Sequence, residues 1–219
     1  MNKTKIEWTD YTWNPVTGCK NNCFYCYGRK MNERFGKDYK PRFWWDRLDQ
    51  PIKEKKPSKI FVCSIADLFG DWIPDDTINY VLDTVRKCPQ HTFQFLTKNY
   101  KGYTSVRFPN NCWLGITVTS WKNKQRQGLL PPAIFGTNLR FASFEPLLGE
   151  INLDINYSFD WIIIGAMTGQ KSQKYQPKES WIANILKQAD FANIPIFMKN
   201  NLKKVWKGKL RQEFPNDQT

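Results

Sequence analysis

Seven short runs of apolar, β-branched and aromatic residues punctuate the chain, each bounded by polar or turn-forming stretches. They cover residues 11–17, 59–65, 92–97, 112–118, 138–143, 159–165 and 194–198. In Ile60-Phe61-Val62-Cys63 and Trp161-Ile162-Ile163-Ile164 the apolar residues are consecutive. A strand exposed on one face alternates with period two, so continuous runs predict parallel strands covered on both faces. Between the runs the period changes. Ile78, Val81, Leu82 and Val85 recur at helical spacing, with Pro74 placed in the first turn, Asp75 and Asp76 at the positive end of the helix dipole, and Arg86 and Lys87 at the other end. The same pattern predicts a helix over residues 177–189 that buries Trp181, Ile182, Ile185 and Leu186. A further helix is expected over residues 27–34, whereas residues 146–158 lack helical periodicity and predict an irregular connection.

Strands alternating with helices predict an α/β fold with a parallel sheet. A complete eight-unit barrel takes about 250 residues. Six or seven units in 219 residues therefore predict a partial, open, TIM-like (β/α) barrel. One domain over residues 1–219 is expected, with a basic C-terminal tail from about residue 200 and no internal repeat or linker. A parallel barrel carries its ligands on the loops after the strands. The polar or small residues found there are Ser64 and Asp67, Thr97 to Asn99, Thr117 and Thr119, Ser143 and Glu145, Gly165, Thr168 and Gly169, and Lys199 and Asn200.

Composition narrows the picture. Aromatic residues make up 16% of the chain, ten of them Trp, so the core is expected to be built from large rings. Phe43-Trp44-Trp45, Trp8 and Trp13 are expected to fill that core or close the open side of the barrel rather than stack on bases. The net charge of +13 points to an anionic partner. Charge alone fits a nucleic-acid partner and a solvated basic surface equally well. Residues 1–10 are polar and charged, unlike a signal peptide, and no apolar run approaches the roughly 18 residues of a membrane span. A cytoplasmic protein without membrane association is expected. Its six cysteines would then be thiols rather than disulfides. Cys63, Cys88 and Cys112 lie in or beside apolar runs and are expected to be small buried hydrophobes. His91, the only histidine, is expected to have a satisfied structural role at the start of a strand.

Cys19, Cys23 and Cys26 stand apart, in a polar loop with Lys20, Asn21 and Asn22. Three thiols at C-x3-C-x2-C spacing can hold three corners of a [4Fe–4S] cluster, for which four thiolates are the usual set. The missing fourth leaves one iron open to a small molecule. A structural zinc site is the competing reading, but it normally needs four protein ligands, and no neighbouring Cys or His completes the set.

This spacing, the aromatic Tyr25 before the third cysteine and the strand order resemble the radical S-adenosylmethionine superfamily. Nearly the whole chain resembles a family of small, largely uncharacterised, often phage-encoded proteins associated with three-Cys-motif partner proteins. The words that carry it include Ile6-Glu7-Trp8-Thr9-Asp10, Thr12-Trp13-Asn14-Pro15-Val16-Thr17-Gly18-Cys19, Ser64-Ile65-Ala66-Asp67-Leu68-Phe69, Phe95-Leu96-Thr97-Lys98 and Phe144-Glu145-Pro146-Leu147-Leu148-Gly149. The resemblance implies a [4Fe–4S] cluster on Cys19, Cys23 and Cys26. It also implies S-adenosylmethionine on the open iron, an external electron donor, and a 5′-deoxyadenosyl radical that takes hydrogen from a substrate. It places Tyr25 beside the adenine. Residues 64–67 stand where many members carry a Gly-Gly-Glu stretch that holds the methionine amino group; this chain departs from that stretch, with Ser64 and Asp67 as its candidates. By strand position, Thr117, Thr119 and Glu145 face ribose or methionine, and Lys98 a carboxylate. Asp67 equally suits a turn-bracing role. Two functions follow: a radical enzyme acting on an anionic substrate, nucleic acid among them, or a nucleic-acid-binding protein with a structural zinc or iron–sulfur site.

Overall fold

A computed structural model describes residues 1–120, 137–152, 159–169 and 172–215 of the 219-residue chain. The chain divides into two compact units, residues 1–114 and 115–219. The α/β class and the mostly parallel strands are those the sequence predicts, and the described strands do not close a barrel. Among the described residues no helix is long and apolar enough to cross a membrane.

In the first unit, β2 (Tyr11–Trp13), β5 (Lys59–Val62) and β6 (Thr92–Thr97) are parallel neighbours, and β1 (Asn2–Lys3) runs antiparallel along β2. The first predicted strand is not continuous. Pro15 has no N–H to give to a sheet, and the chain breaks at Asn14–Pro15 into β2 and β3 (Val16–Thr17). β3 pairs instead with β4 (Arg42–Phe43) in a separate antiparallel ribbon, so the cysteine loop leaves from this ribbon rather than directly from the parallel sheet. β5 is shorter than predicted because Cys63 adopts a positive φ of 57° and turns the chain, while its N–H still donates to the Trp13 carbonyl at 2.8 Å.

The helices of this unit are α1 (Tyr27–Arg34), α2 (Gln50–Lys53) and α3 (Asp75–Arg86). α3 buries Ile78, Val81, Leu82 and Val85 as expected, but Pro74 sits just before its first turn, in extended conformation. Trp8 and Trp13 are buried. Trp45 departs from the expectation: it is 63% exposed and packs edge-on against Phe43 and Tyr80 at 4.7 and 4.9 Å. His91 is buried with Nε2 3.2 and 3.1 Å from the Pro51 and Glu54 carbonyls.

β7 (Cys112–Thr117) carries the chain into the second unit. There β8 (Leu139–Phe144), β9 (Trp161–Ile164) and β10 (Ile196–Met198) run parallel, and the Val118 N–H donates to the Ser143 carbonyl at 3.0 Å. α4 (Glu179–Phe191) buries Ile182, Ile185 and Ala189. Trp181 and Leu186, predicted to be buried, are only half-buried, and Trp181 lies under the Lys178 ammonium at 5.5 Å. Of the irregular connection, residues 153–158 lie outside the described residues. Residues 211–214 of the basic tail are tied to β9 and β10: Met198 N–H donates to the Arg211 carbonyl, Glu213 N–H to the Ile196 carbonyl, and the Phe214 ring stacks on Trp161 at 5.4 Å. Arg211 hydrogen-bonds Glu213, holding that carboxyl below its usual range and raising its own pKa.

All six cysteines are thiols. Burial pushes Cys63 and Cys112 up to about 12, so neither supplies a thiolate at neutral pH.

Core packing of the second unit is tight at Gly115. A Cβ there would stand 2.3 to 2.6 Å from the Phe141 ring, which is itself fully buried and packed against Trp161. Gly115→Ala is expected to lower unfolding free energy by about 1–3 kcal/mol in urea denaturation, the usual cost of overpacking. An unchanged midpoint would show that Phe141 yields freely.

Candidate functional site

The cysteine loop is clamped at its start. Gly18 has φ 82°, and a Cβ there would lie 2.1 Å from the Lys40 carbonyl oxygen, so only glycine fits. The Gly18 N–H donates to the Ile65 carbonyl (3.2 Å) and the Cys19 N–H to the Tyr39 carbonyl (3.1 Å). Cys19 therefore emerges between two fixed backbone segments. At the far end, Cys26 caps α1, its Sγ accepting the Arg29 N–H at 3.4 Å. Cys19 Sγ accepts the Asn21 N–H at 3.4 Å, Cys23 Sγ lies 3.9 Å from the Asn21 carbonyl, and Cys26 Sγ lies 3.8 Å from the Tyr39 hydroxyl. Burial raises the Cys19 pKa, opposed by the Asn21 N–H, so this thiol sheds a proton when it binds metal.

Asp67 ties the loop to the sheet. Its buried carboxylate accepts the Thr97 hydroxyl at 2.6 Å, the Asn21 side-chain amide at 2.9 Å, the Lys98 N–H at 3.0 Å and the Phe69 N–H at 3.3 Å. The cysteine loop, the turn after β5 and the end of β6 thus meet on one side chain. The Lys98 ammonium stands 5.8 Å from the Tyr25 ring centroid, and Tyr25, half-buried, borders Cys23 and Cys26; burial first, then those thiols, raise its pKa. Ser64 points elsewhere, donating to Asn14 Oδ1 at 3.2 Å. Of the residues singled out in the sequence, Cys19, Cys23, Cys26, Tyr25, Asp67 and Lys98 come together here.

Thr117, Thr119 and Glu145 belong to the second unit. Thr117 and Thr119 are buried at and just beyond the end of β7, and the Thr119 carbonyl accepts the Leu148 N–H at 2.7 Å. Glu145, after β8, forms an ion pair with Lys199, after β10. Gly165 leaves room for that carboxylate, since a Cβ there would lie 3.0 Å from Glu145 Cδ.

Three residues beside the loop were not singled out by the sequence reading, and Asn21 was named there only as a mark of loop polarity. Asn14 receives Ser64 and the Ile65 N–H. Asn21 bridges to Asp67. Tyr39 donates its hydroxyl to the Ile65 carbonyl at 2.6 Å and lies against Gly28. Arg29 donates to the Cys19 carbonyl at 3.2 Å, places its guanidinium 5.3 Å from the Tyr39 centroid, and keeps Nε buried without a hydrogen-bond partner among the described residues. Gly18 immediately before Cys19 was the available signal of a tight approach; side chains distant in sequence carried none.

Among the described residues no group of three or more His, Cys, Asp or Glu side chains is arranged to hold one metal ion. A [4Fe–4S] cluster would take one thiolate on each of three irons. The orphaned cationic N–H of Arg29 beside the loop suits an anionic cluster of three thiolates.

Asp67→Asn replaces an acceptor with an amide donor facing Asn21 and the Lys98 N–H. It is expected to cost about 1–3 kcal/mol of stability, the penalty for buried donors left unpaired. A double-mutant cycle with Asn21→Ala should give a coupling of at least about 0.5 kcal/mol in chemical denaturation. Additive effects would mean that the loop is held without this contact.

Two solved structures share the fold. Spore photoproduct lyase carrying two substitutions, with AdoMet and dinucleoside spore photoproduct bound, aligns at a TM-score of 0.54 and 11% identity, over 93% of this chain and 61% of that one. A cysteine-to-serine mutant of the lyase aligns at 0.51 and 12%, over 90% and 57%. The chain thus spans about three fifths of the length of the lyase. At such identity the likeness establishes the fold, in keeping with a partial TIM-like barrel. No curated protein matches the sequence. One family profile matches residues 3–212, and by that match the chain belongs to the family described as "Protein of unknown function (DUF5131)".

Proposed function

We propose that the chain is a radical S-adenosylmethionine enzyme, with Cys19, Cys23 and Cys26 as the ligands of a [4Fe–4S] cluster. The observation that carries this reading is the clamped three-thiol loop, with Arg29 beside it and no fourth cysteine near it in the sequence. The fold shared with a lyase seen with AdoMet bound supports it. Held by Cys19, Cys23 and Cys26, the cluster would supply the electron for reductive cleavage of S-adenosylmethionine, the radical chemistry that the cofactor rather than the protein carries.

The chain's own residues bind and orient. Tyr25, between the second and third cysteines, borders the adenine. The Lys98 ammonium, close to that ring, meets the methionine carboxylate, and Ser64 faces the methionine amino group once released from Asn14. Asp67 has four donors already on its carboxylate and acts by holding the loop in place. By strand position alone, Thr117, Thr119 and Glu145, the last paired with Lys199, are the second unit's candidates for ribose or methionine. The one-domain organisation, the cytoplasmic setting and the kinship with the phage-encoded family associated with three-Cys-motif partners belong to the same proposal. For substrate we favour nucleic acid, on the net charge of +13 and the dinucleoside bound in the related fold.

Anaerobic reconstitution is expected to give about four iron and four sulfide per chain, and Cys→Ala at position 19, 23 or 26 to abolish the loaded cluster. Reduction with S-adenosylmethionine should then release 5′-deoxyadenosine. An intact cluster that yields none under any reductant would sink the enzymatic reading. Stoichiometric zinc in a colourless, air-stable preparation would instead favour a nucleic-acid-binding protein with a structural metal.

A further inference from the structure

α1 begins on a cluster ligand and carries large apolar side chains outward. Its inward face is set by Gly28, where a Cβ would stand 2.3 Å from the Tyr39 hydroxyl, and by Arg29 over the Tyr39 ring. Tyr27, Met31 and Phe35 recur every fourth residue and share one stripe. Tyr27 is 70% and Phe35 67% exposed, and Phe24, in the cysteine loop, is 50% exposed. Lys30 and Arg34 repeat the spacing alongside, and Glu33, the only acid of the helix, falls off the stripe. With a rise of 1.5 Å per residue, the stripe runs from beside Cys26 to roughly 13 Å from it.

Exposed aromatics grouped with Met and Arg are the composition of an interface rather than of ordinary surface. Its position identifies the partner. We infer that this face of α1 docks an acidic electron-donor protein that reduces the cluster. The inference rests on the radical reading above. Electron transfer falls steeply with distance, so a protein donor must approach the cysteine loop, and the helix leaving Cys26 offers both apolar contact and positive charge there. Redox encounters use small interfaces, which a two-turn stripe satisfies. The net charge of +13 steers an acidic donor toward the chain. In the transfer, a flavin hydroquinone donor loses one electron and one proton; the electron passes to the oxidised cluster and the proton to solvent.

The test is anaerobic stopped-flow reduction of the reconstituted protein, with a reduced acidic flavodoxin as probe and dithionite as the small-molecule control. The double charge reversal Lys30→Glu with Arg34→Glu is expected to lower the second-order flavodoxin rate about tenfold at low salt and to flatten its salt dependence. Tyr27→Ser with Phe35→Ser should lower the rate as well, and dithionite reduction should be unchanged in both variants. Flavodoxin rates and salt slopes equal to wild type, with dithionite reduction intact, overturn the docking face alone. A cluster that dithionite itself cannot reduce sinks the radical reading, and this inference with it. Loss of affinity for a single-stranded oligonucleotide, with flavodoxin rates unchanged, would assign the face to nucleic acid and likewise overturn it.

Discussion

One buried carboxylate, that of Asp67, joins the cysteine loop to the parallel strands of the first unit. Asp67 gathers donors from the loop, from the turn after β5 and from the end of β6, and a buried charge is tolerable only when its acceptor sites are filled. The consequence runs both ways. The carboxylate needs those donors, and the donors, two of them backbone N–H groups, need it. The loop from Gly18 to Cys26 thereby acquires a fixed relation to the parallel strands of the first unit.

A second constraint acts at the entrance. Gly18 passes so close to the Lys40 carbonyl that no side chain fits, and the backbone on either side is hydrogen-bonded to residues 39 and 65. The entry is therefore rigid, and the exit is rigid because Cys26 begins a helix. Cys23 lies between, following Asn22 in the left-handed region, a conformation that asparagine tolerates better than most residues. A loop fixed at both ends can present three thiols to a cluster without the entropy cost of gathering them from a disordered segment.

Much of this was legible in the sequence, for identifiable reasons. Continuous apolar runs gave the parallel strands, because residues buried on both faces leave no polar alternation. The 3.6-residue period gave α3, and the cysteine spacing singled out the loop. The break at Pro15 was missed although the proline was visible, because the apolar pattern continues through it. The partnership of Asp67 with Asn21 was beyond reach, since the two are 46 residues apart and meet only in the folded chain. The same holds for Glu145 with Lys199 and for Arg29 over Tyr39. Trp45 was misread because tryptophan usually lies inside, whereas here the short ribbon of β3 and β4 leads it to the surface against Tyr80.

The central claim is that three thiols leave one iron open to S-adenosylmethionine. Electron–nuclear double resonance on the reduced, reconstituted protein tests it directly, with the cofactor labelled with nitrogen-15 in the amino group and oxygen-17 in the carboxylate of methionine. The account predicts hyperfine coupling of both labels to the cluster. A cluster spectrum unaffected by S-adenosylmethionine, with neither label coupled, would contradict it.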